Sequence, residues 1–230
     1  MSESVNRLLL FDIDNTLLWS GGAGSHAMNL AFAEMFGISD GFAKVEFSGR
    51  TDLSIFGGGL AANGIQGGVS AHLGEFCRRY YSLLPQTLRE RDGTLMPGFP
   101  GLLDALRSTP GVRLGLATGN FREGGRLKLE HYGIAQYFEG GGFGEESLER
   151  ADVVRSAIRR LGDGAAPEDV LVIGDTPLDV KAALDNGVVG VGVATGNYST
   201  DQLCESGAQM VFDDFADWEQ AAAILSGSAA

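Results

Sequence analysis

Four consecutive apolar residues, Leu8, Leu9, Leu10 and Phe11, run straight into Asp12-Ile13-Asp14-Asn15-Thr16. A short unbroken apolar run that ends in loop-type residues reads as a buried strand of a parallel sheet. The same unit recurs at 113–117, before Thr118-Gly119-Asn120, and at 170–173, before Gly174-Asp175-Thr176-Pro177-Leu178-Asp179. Helical patterns lie between and after these strands, at 102–108, 121–132, about 151–161, 179–186 and from Phe215, with Gly133 and Gly187 as stops. Further strands are expected at 188–193 and 210–212, with a short one at Tyr137-Phe138 before the loose Gly140-Gly141-Gly142. Strand and helix in alternation imply right-handed crossovers and a doubly wound α/β fold, a parallel sheet with helices on both faces.

The alternation is interrupted early. Ser25 could cap a helix through Phe36, with Gly37 as its stop, and Thr51 could cap another from Asp52. Gly57-Gly58-Gly59 would cost that second helix about 1 kcal/mol per glycine and break it. From Ser70, the positions Leu73, Phe76, Cys77, Tyr80 and Leu84 follow helical spacing, and Pro85 is expected to end or kink the helix. Residues 19–96 therefore read as helical with no convincing strand, and the turn-rich Pro97-Gly98-Phe99-Pro100-Gly101 marks the return. This divides the chain into a discontinuous α/β core, 1–18 and 97–230, and a helical insertion, 19–96.

A chain of 230 residues with 44% hydrophobic content can bury a large core. Its formal net charge of −13 argues against nucleic acid and anionic membrane surfaces as partners, so an anionic substrate would have to be held by a metal and a few local cations. Cys77 and Cys204 have no metal or disulfide spacing, and the polar start precedes only four apolar residues, so a cytoplasmic protein without a signal peptide is expected. The sequence carries no signature of an oligomeric state. There is no G-x-S-x-G, P-loop or G-x-G-x-x-G, and His26, His72 and His131 lack a metal spacing. His26 could touch a substrate, although such a residue more often merely starts a helix.

Asp12 and Asp14 fall beyond the carboxyl end of a strand, where open α/β sheets bind ligands. Two carboxylates leaving an apolar strand together repel and lose hydration, so one takes a proton or a cation sits among them. A hard cation such as Mg²⁺ answers that need and usually arrives with a phosphate.

Taken together, D-x-D-N-T, the strand-final Thr118 and G-D-x-x-x-D resemble the haloacid dehalogenase superfamily, specifically its phosphatases with a helical cap. The resemblance implies that Asp12 attacks phosphorus and that Asp14 is the general acid and base. It implies Mg²⁺ on Asp12, the Asp14 carbonyl and Asp175, with Asp179 as a further ligand or partner. The phosphoryl oxygens fall to Asn15, Thr118, Gly119 and Asn120. Ser48-Gly49-Arg50-Thr51-Asp52 resembles a turn in the cap of phosphoglycolate-phosphatase-like members, which makes Arg50 a candidate for a remote anion of the substrate. The family usually has a Lys between the Thr and the G-D-x-x-x-D segment. Lys128, the only Lys in that interval, lies in the helix directly after Thr118, where position argues against the role, and Arg150 stands where the cation is expected. The implied function is a Mg²⁺-dependent phosphomonoesterase that hydrolyses a small phosphorylated metabolite through an aspartyl-phosphate. A sugar-phosphate mutase or pyrophosphatase of the same family is the nearest alternative, and a phospho-accepting receiver-like module the alternative of another class.

Overall fold

The computed structural model describes residues 7–227. The polar start, 1–6, and the end of the small-residue tail, 228–230, lie outside them. Six parallel strands form one sheet in the order β5-β4-β1-β6-β7-β8: β1 (Arg7–Phe11), β4 (Val112–Ala117), β5 (Gly141–Gly142), β6 (Val170–Gly174), β7 (Val189–Val193) and β8 (Met210–Phe212). β1 lies at the centre, with Phe11 opposite Leu116 on one side and Ile173 on the other. The residues that follow these three partners therefore emerge together at one edge.

All four apolar residues of the β1 run are fully buried, because each face of the sheet is covered. Leu9 and Phe11 point to one side, packing with Leu102, Leu103 and Leu106 of α4 (Gly101–Arg107) and Leu225 of α9 (Trp218–Ser226). Leu8 and Leu10 point to the other, against Val154 and Ala157 of α6 (Arg150–Leu161) and Ala182 and Ala183 of α7 (Pro177–Asp185). Strand periodicity of two makes this division. The remaining core helices are α5 (Arg122–His131) and the short α8 (Thr200–Glu205).

Between β1 and α4 the chain forms α1 (Ala23–Phe36), α2 (Asp52–Ala62) and α3 (Gly68–Glu90), which bury their own cluster around Phe32, Phe42, Phe56, Phe76 and Tyr80. Phe121 of the α/β part joins that cluster.

Several local expectations are corrected here. Two-residue strands do occur at the root of the helical segment: β2 (Leu18–Trp19) pairs antiparallel with β3 (Thr94–Leu95), so the two crossings run side by side. α1 starts at Ala23, preceded by Gly22 at φ 76°, and Ser25 sits in its first turn with its hydroxyl donating to Gly22 O at 3.0 Å. α2 is unbroken, because its glycines let neighbours lie against the helix. A Cβ on Gly58 would come within 3.1 Å of Val45, and one on Gly59 within 2.5 Å of the Phe42 ring. α3 continues through Pro85 because Leu84 and Leu88 are buried and the Thr87 hydroxyl donates to Ala23 O and Leu84 O. That packing offsets the roughly 3 kcal/mol an internal proline costs. Residues Ala135–Tyr137 form a single 3₁₀ turn, and the edge strand is the glycine pair of β5, where a Cβ on Gly141 would lie 2.1 Å from Leu116 O. No described helix is long and apolar enough to cross a membrane.

Candidate active site

The β1 exit is held by the Asp12 N–H donating to Ile173 O at 2.9 Å. Asn15 follows in the left-handed region, φ 58°, and the Thr195 hydroxyl donates to its carbonyl at 2.5 Å. Asp12 is thereby directed toward β6, whose own exit carries Asp175 and, one helical turn later, Asp179. Carboxylate oxygens of Asp12, Asp175 and Asp179 lie within 4.8 Å of one another, and all three residues are buried. Asp179 closes a capping box with Thr176, accepting from the Thr176 hydroxyl at 2.7 Å and from its N–H at 3.2 Å. Two glycines make room: a Cβ on Gly174 would lie 2.3 Å from the Asp179 carboxyl carbon, and one on Gly196 would lie 1.9 Å from Asp175 Oδ2.

One cation enters this cluster. Arg150, buried at the start of α6, brings Nη2 to 2.8 Å from Asp12 Oδ1 and 2.6 Å from Asp179 Oδ1, and donates to Ala117 O at 3.1 Å. Its approach to Asp12 has the distance of an ion pair but not the direction of a hydrogen bond. Asp12 Oδ1 accepts no hydrogen bond from any described residue. Burial pushes the Asp12 carboxyl above its ordinary pKa, Arg150 opposes this, and Asp179 and Asp14 add to it. Asp175 is pushed up to about 8 by burial and then by the charges of Asp179 and Asp12. For Arg150, burial works against the charge, but Asp12 and Asp179 more than offset it and raise its pKa. Three buried acids share one arginine, and the raised Asp12 and Asp175 carboxyls reflect that shortage of positive charge. An all-oxygen donor set with one orphaned carboxylate oxygen fits a hard divalent cation.

Asp14 faces the other way. Lys128, buried in α5, places Nζ 2.7 Å from Asp14 Oδ1 and 2.6 Å from Oδ2, and donates to Asn120 Oδ1 at 2.7 Å. Asn120 Nδ2 donates to Asp14 Oδ2 at 2.8 Å and to Thr118 Oγ1 at 2.9 Å, and the Asn120 N–H also donates to Thr118 Oγ1. The strand-final threonine thus supports the asparagine that orients Asp14. A cavity of about 490 Å³ opens above both carboxylates, with Asn15, Gly119, Asn120 and Arg150 also on its lining; Thr118 and Asp179 lie behind it.

The haloacid dehalogenase-like hydrolase profile matches residues 9–184, most of the chain. The chain belongs to that family. It is 29% identical over 225 residues to a phosphoglycolate phosphatase of Rhodospirillum rubrum, covering 92% of this chain and 90% of that protein. Among solved structures, it is similar to a predicted phosphatase from Clostridium acetobutylicum, with a TM-score of 0.68, 21% identity and coverage of 95% and 98% of the two chains. It is also similar to CbbY from Rhodobacter sphaeroides in complex with phosphate, at 0.66, 20%, and 92% and 95%. Those two likenesses show the fold. Family membership makes the chain a hydrolase, of the phosphatase kind, and sets the receiver-like alternative aside.

The hydrolase brings together every residue expected at the site from the core motifs. Arg50 reaches the cavity lining from the helical segment, with its side chain half exposed and Nη2 3.7 Å from Glu46. His26 does not line this cavity; it borders a separate recess with Trp19. Lys128, whose position in the chain argues against its being the family's usual lysine, is a direct partner of Asp14. Its signal was present: Phe121, Gly125 and Lys128 follow buried helical spacing, so a lysine occupies the inward face of α5.

Asp52 was likewise missed. Its N–H donates to Gly119 O at 2.7 Å, and its carboxylate accepts from the Phe121 N–H, at the start of α5, at 2.8 Å. Burial pushes it up to about 7, Lys128 opposes that, and Asp14 adds to it. Gly119 has no side chain because a Cβ there would lie 2.1 Å from Arg50 O. The turn before α2 is therefore seated directly on the Thr118-Gly119-Asn120 loop.

Proposed function

We propose that this hydrolase is a Mg²⁺-dependent phosphomonoesterase of small phosphorylated metabolites, working through an aspartyl-phosphate on Asp12. The observation that carries the reading is the unlike treatment of two carboxylates two residues apart. Asp12 is buried among acids with one oxygen unsatisfied, while Asp14 faces the cavity between Lys128 and Asn120.

In the first half-reaction an Asp12 oxygen attacks phosphorus, the ester P–O bond breaks, and Asp14 gives its proton to the departing alkoxide. In the second, Asp14 takes a proton from water, whose oxygen attacks phosphorus and releases phosphate and the free Asp12 carboxylate. Arg150 offsets the charge on the nucleophile side, and the Gly119 backbone N–H on the cavity lining, flanked by Thr118 and Asn120 and sharing that lining with Asn15, holds phosphoryl oxygen. Asp12, Asp175 and Asp179, with the Asp14 carbonyl, would hold Mg²⁺, which supplies charge neutralisation when bound.

Residues 19–96 act as a cap over the core formed by 1–18 and 97–230, closing the cavity and excluding water. Arg50 is the cap residue for a second anionic group of the substrate. The similarity to a phosphoglycolate phosphatase supports phosphoglycolate as one candidate, and two free cysteines suit a cytoplasmic enzyme.

Repeated turnover of p-nitrophenyl phosphate with Mg²⁺ tests the reading. Phosphate release in large excess over enzyme, lost with EDTA and lost in Asp12→Asn at unchanged far-ultraviolet circular dichroism, is expected. It also separates hydrolysis from a mutase, which would return the phosphoryl group to substrate. Full activity of Asp12→Asn would overturn the assignment.

A further inference from the structure

The first turn of α1 opens onto the cavity without a cap. Gly22, Gly24 and Ser25 are on the lining, no side chain caps the helix, and no acidic residue stands in its first turn. The Ala23 N–H donates to Ser20 O, but the N–H groups of Gly24 and Ser25 donate to no described residue. A helix of 14 residues thus brings the positive end of its dipole and two free donors to the cavity.

Two buried hydroxyls join it there. Tyr80 of α3 is 1% exposed and Ser20 is 6% exposed, both line the cavity, and neither hydroxyl has a hydrogen-bond partner among the described residues. The Thr16 hydroxyl is unpartnered and sealed; those of Tyr80 and Ser20 keep contact with open space, and that space is the cavity. The Tyr80 ring is fixed by stacking on Phe76 at 6.1 Å and by an edge contact with Phe121 at 6.4 Å. Gly124 of α5 leaves room for it, since an added Cβ would meet the ring at 3.0 Å. Burial holds the phenol well above its ordinary pKa and the Asp52 and Asp14 charges add to this, so it donates as a neutral hydroxyl.

These donors gather beside the residue that protonates the leaving oxygen. An added Cβ on Gly24 would meet Lys128 Nζ at 3.1 Å and Tyr80 Oη at 3.7 Å, and Lys128 Nζ is itself 2.7 Å from Asp14 Oδ1. The carboxylates at this end are already engaged, Asp14 by Lys128 and Asn120 and Asp52 by the Phe121 N–H. What the cavity lacks here is an acceptor, and donors left unpaired by a ligand without one would lose hydration unreplaced. Arg50, with its side chain half exposed, stands farther out and remains the partner of a more remote anion.

We infer that the α1 N-terminus, Tyr80 and Ser20 form a subsite for a hydrogen-bond-accepting oxygen of the leaving alcohol, close to the ester, so that the preferred substrates are phosphomonoesters of short alcohols with a hydroxyl or carboxylate at the neighbouring carbon. The inference rests on the phosphomonoesterase reading and narrows its substrate class.

Ethyl phosphate, 2-hydroxyethyl phosphate and phosphoglycolate, which differ only at the second carbon of the alcohol, test it with the full-length enzyme and Mg²⁺. The better of the two oxygenated esters is expected to exceed ethyl phosphate in kcat/KM by at least about tenfold, and which of them leads tells hydroxyl from carboxylate. Tyr80→Phe, which deletes only the donor, is expected to lower that ratio about three- to tenfold, and Ser20→Ala to lower it as well. A wild-type ratio near one, or a ratio unchanged in both variants, overturns the subsite while leaving the phosphomonoesterase intact. Absence of turnover on all three esters and on p-nitrophenyl phosphate overturns the reading beneath it.

Discussion

Asp12 and Asp14 leave the same strand two residues apart, yet each has its own buried cation and the two pairs are built differently. Arg150 meets Asp12 from the base of α6 without completing a hydrogen bond, and the Asp12 side chain is only 10% exposed. Lys128 meets Asp14 from the last turn of α5 with both carboxylate oxygens in reach, and the Asp14 side chain is 38% exposed. The first pair leaves an oxygen available in a dry, acid-rich pocket. The second holds a carboxylate firmly but at the cavity surface, where it can meet a leaving group or water. A guanidinium keeps its charge under all conditions, which suits the side where negative charge accumulates. A lysine ammonium is a compact, rotatable donor, which suits a partner that must turn between two tasks.

Removing each cation should break the comparison in a different way. Arg150→Ala is expected to lower kcat by about 10²–10³, the loss typical of one preorganised electrostatic stabiliser, and Arg150→Lys to recover part of it. Steady-state kinetics within about twofold of wild type for Arg150→Ala would assign the residue to structure alone. Lys128→Met should act through Asp14, so its effect should follow the leaving group. An alkyl phosphate, which needs a proton at the departing oxygen, is expected to lose about 10- to 100-fold, and p-nitrophenyl phosphate, which does not, clearly less. Equal losses on both substrates would remove Lys128 from the control of Asp14.

The contrast also marks what could be read without coordinates. Asp12, Asp14, Thr118 and Asp175 each end an apolar strand run, so knowing that the strands are parallel and adjacent is enough to bring them to one edge. Arg150 was reached through the family pattern. Lys128 was discounted because distance along the chain says nothing about an inward-facing position whose neighbour, Gly24, comes from α1, where an added Cβ would lie 3.1 Å from Nζ. The survival of α2 through its glycines and of α3 through Pro85 depended in the same way on contacts between segments far apart in sequence. Propensity alone points the wrong way at both places.

Asp52 gives a smaller effect and sharpens the comparison from the side of the helical segment. Its folded-state pKa of about 7 lies above the unfolded carboxyl value near 3.9. A group raised in this way stabilises the folded state fully below the unfolded value, and that contribution is lost as pH rises through the folded value. The seating of α2 on the 118–121 loop should therefore weaken between about pH 4 and pH 7. Asp52→Asn, which keeps an acceptor for the Phe121 N–H, is expected to flatten the fall of Tm over that interval. A Tm profile parallel to that of wild type would show that Asp52 does not titrate there.

The division of labour between the two carboxylates is tested most directly by trapping the intermediate in Asp14→Asn. That variant retains the Asp12 nucleophile and Arg150 but lacks the base for the second half-reaction. Incubated with Mg²⁺ and a radiolabelled aryl phosphate, whose leaving group needs no proton, then quenched in acid and digested, it should carry label on the peptide containing Asp12 while releasing little phosphate in the steady state. Label on another residue, or steady-state phosphate release at the wild-type rate, would contradict the account.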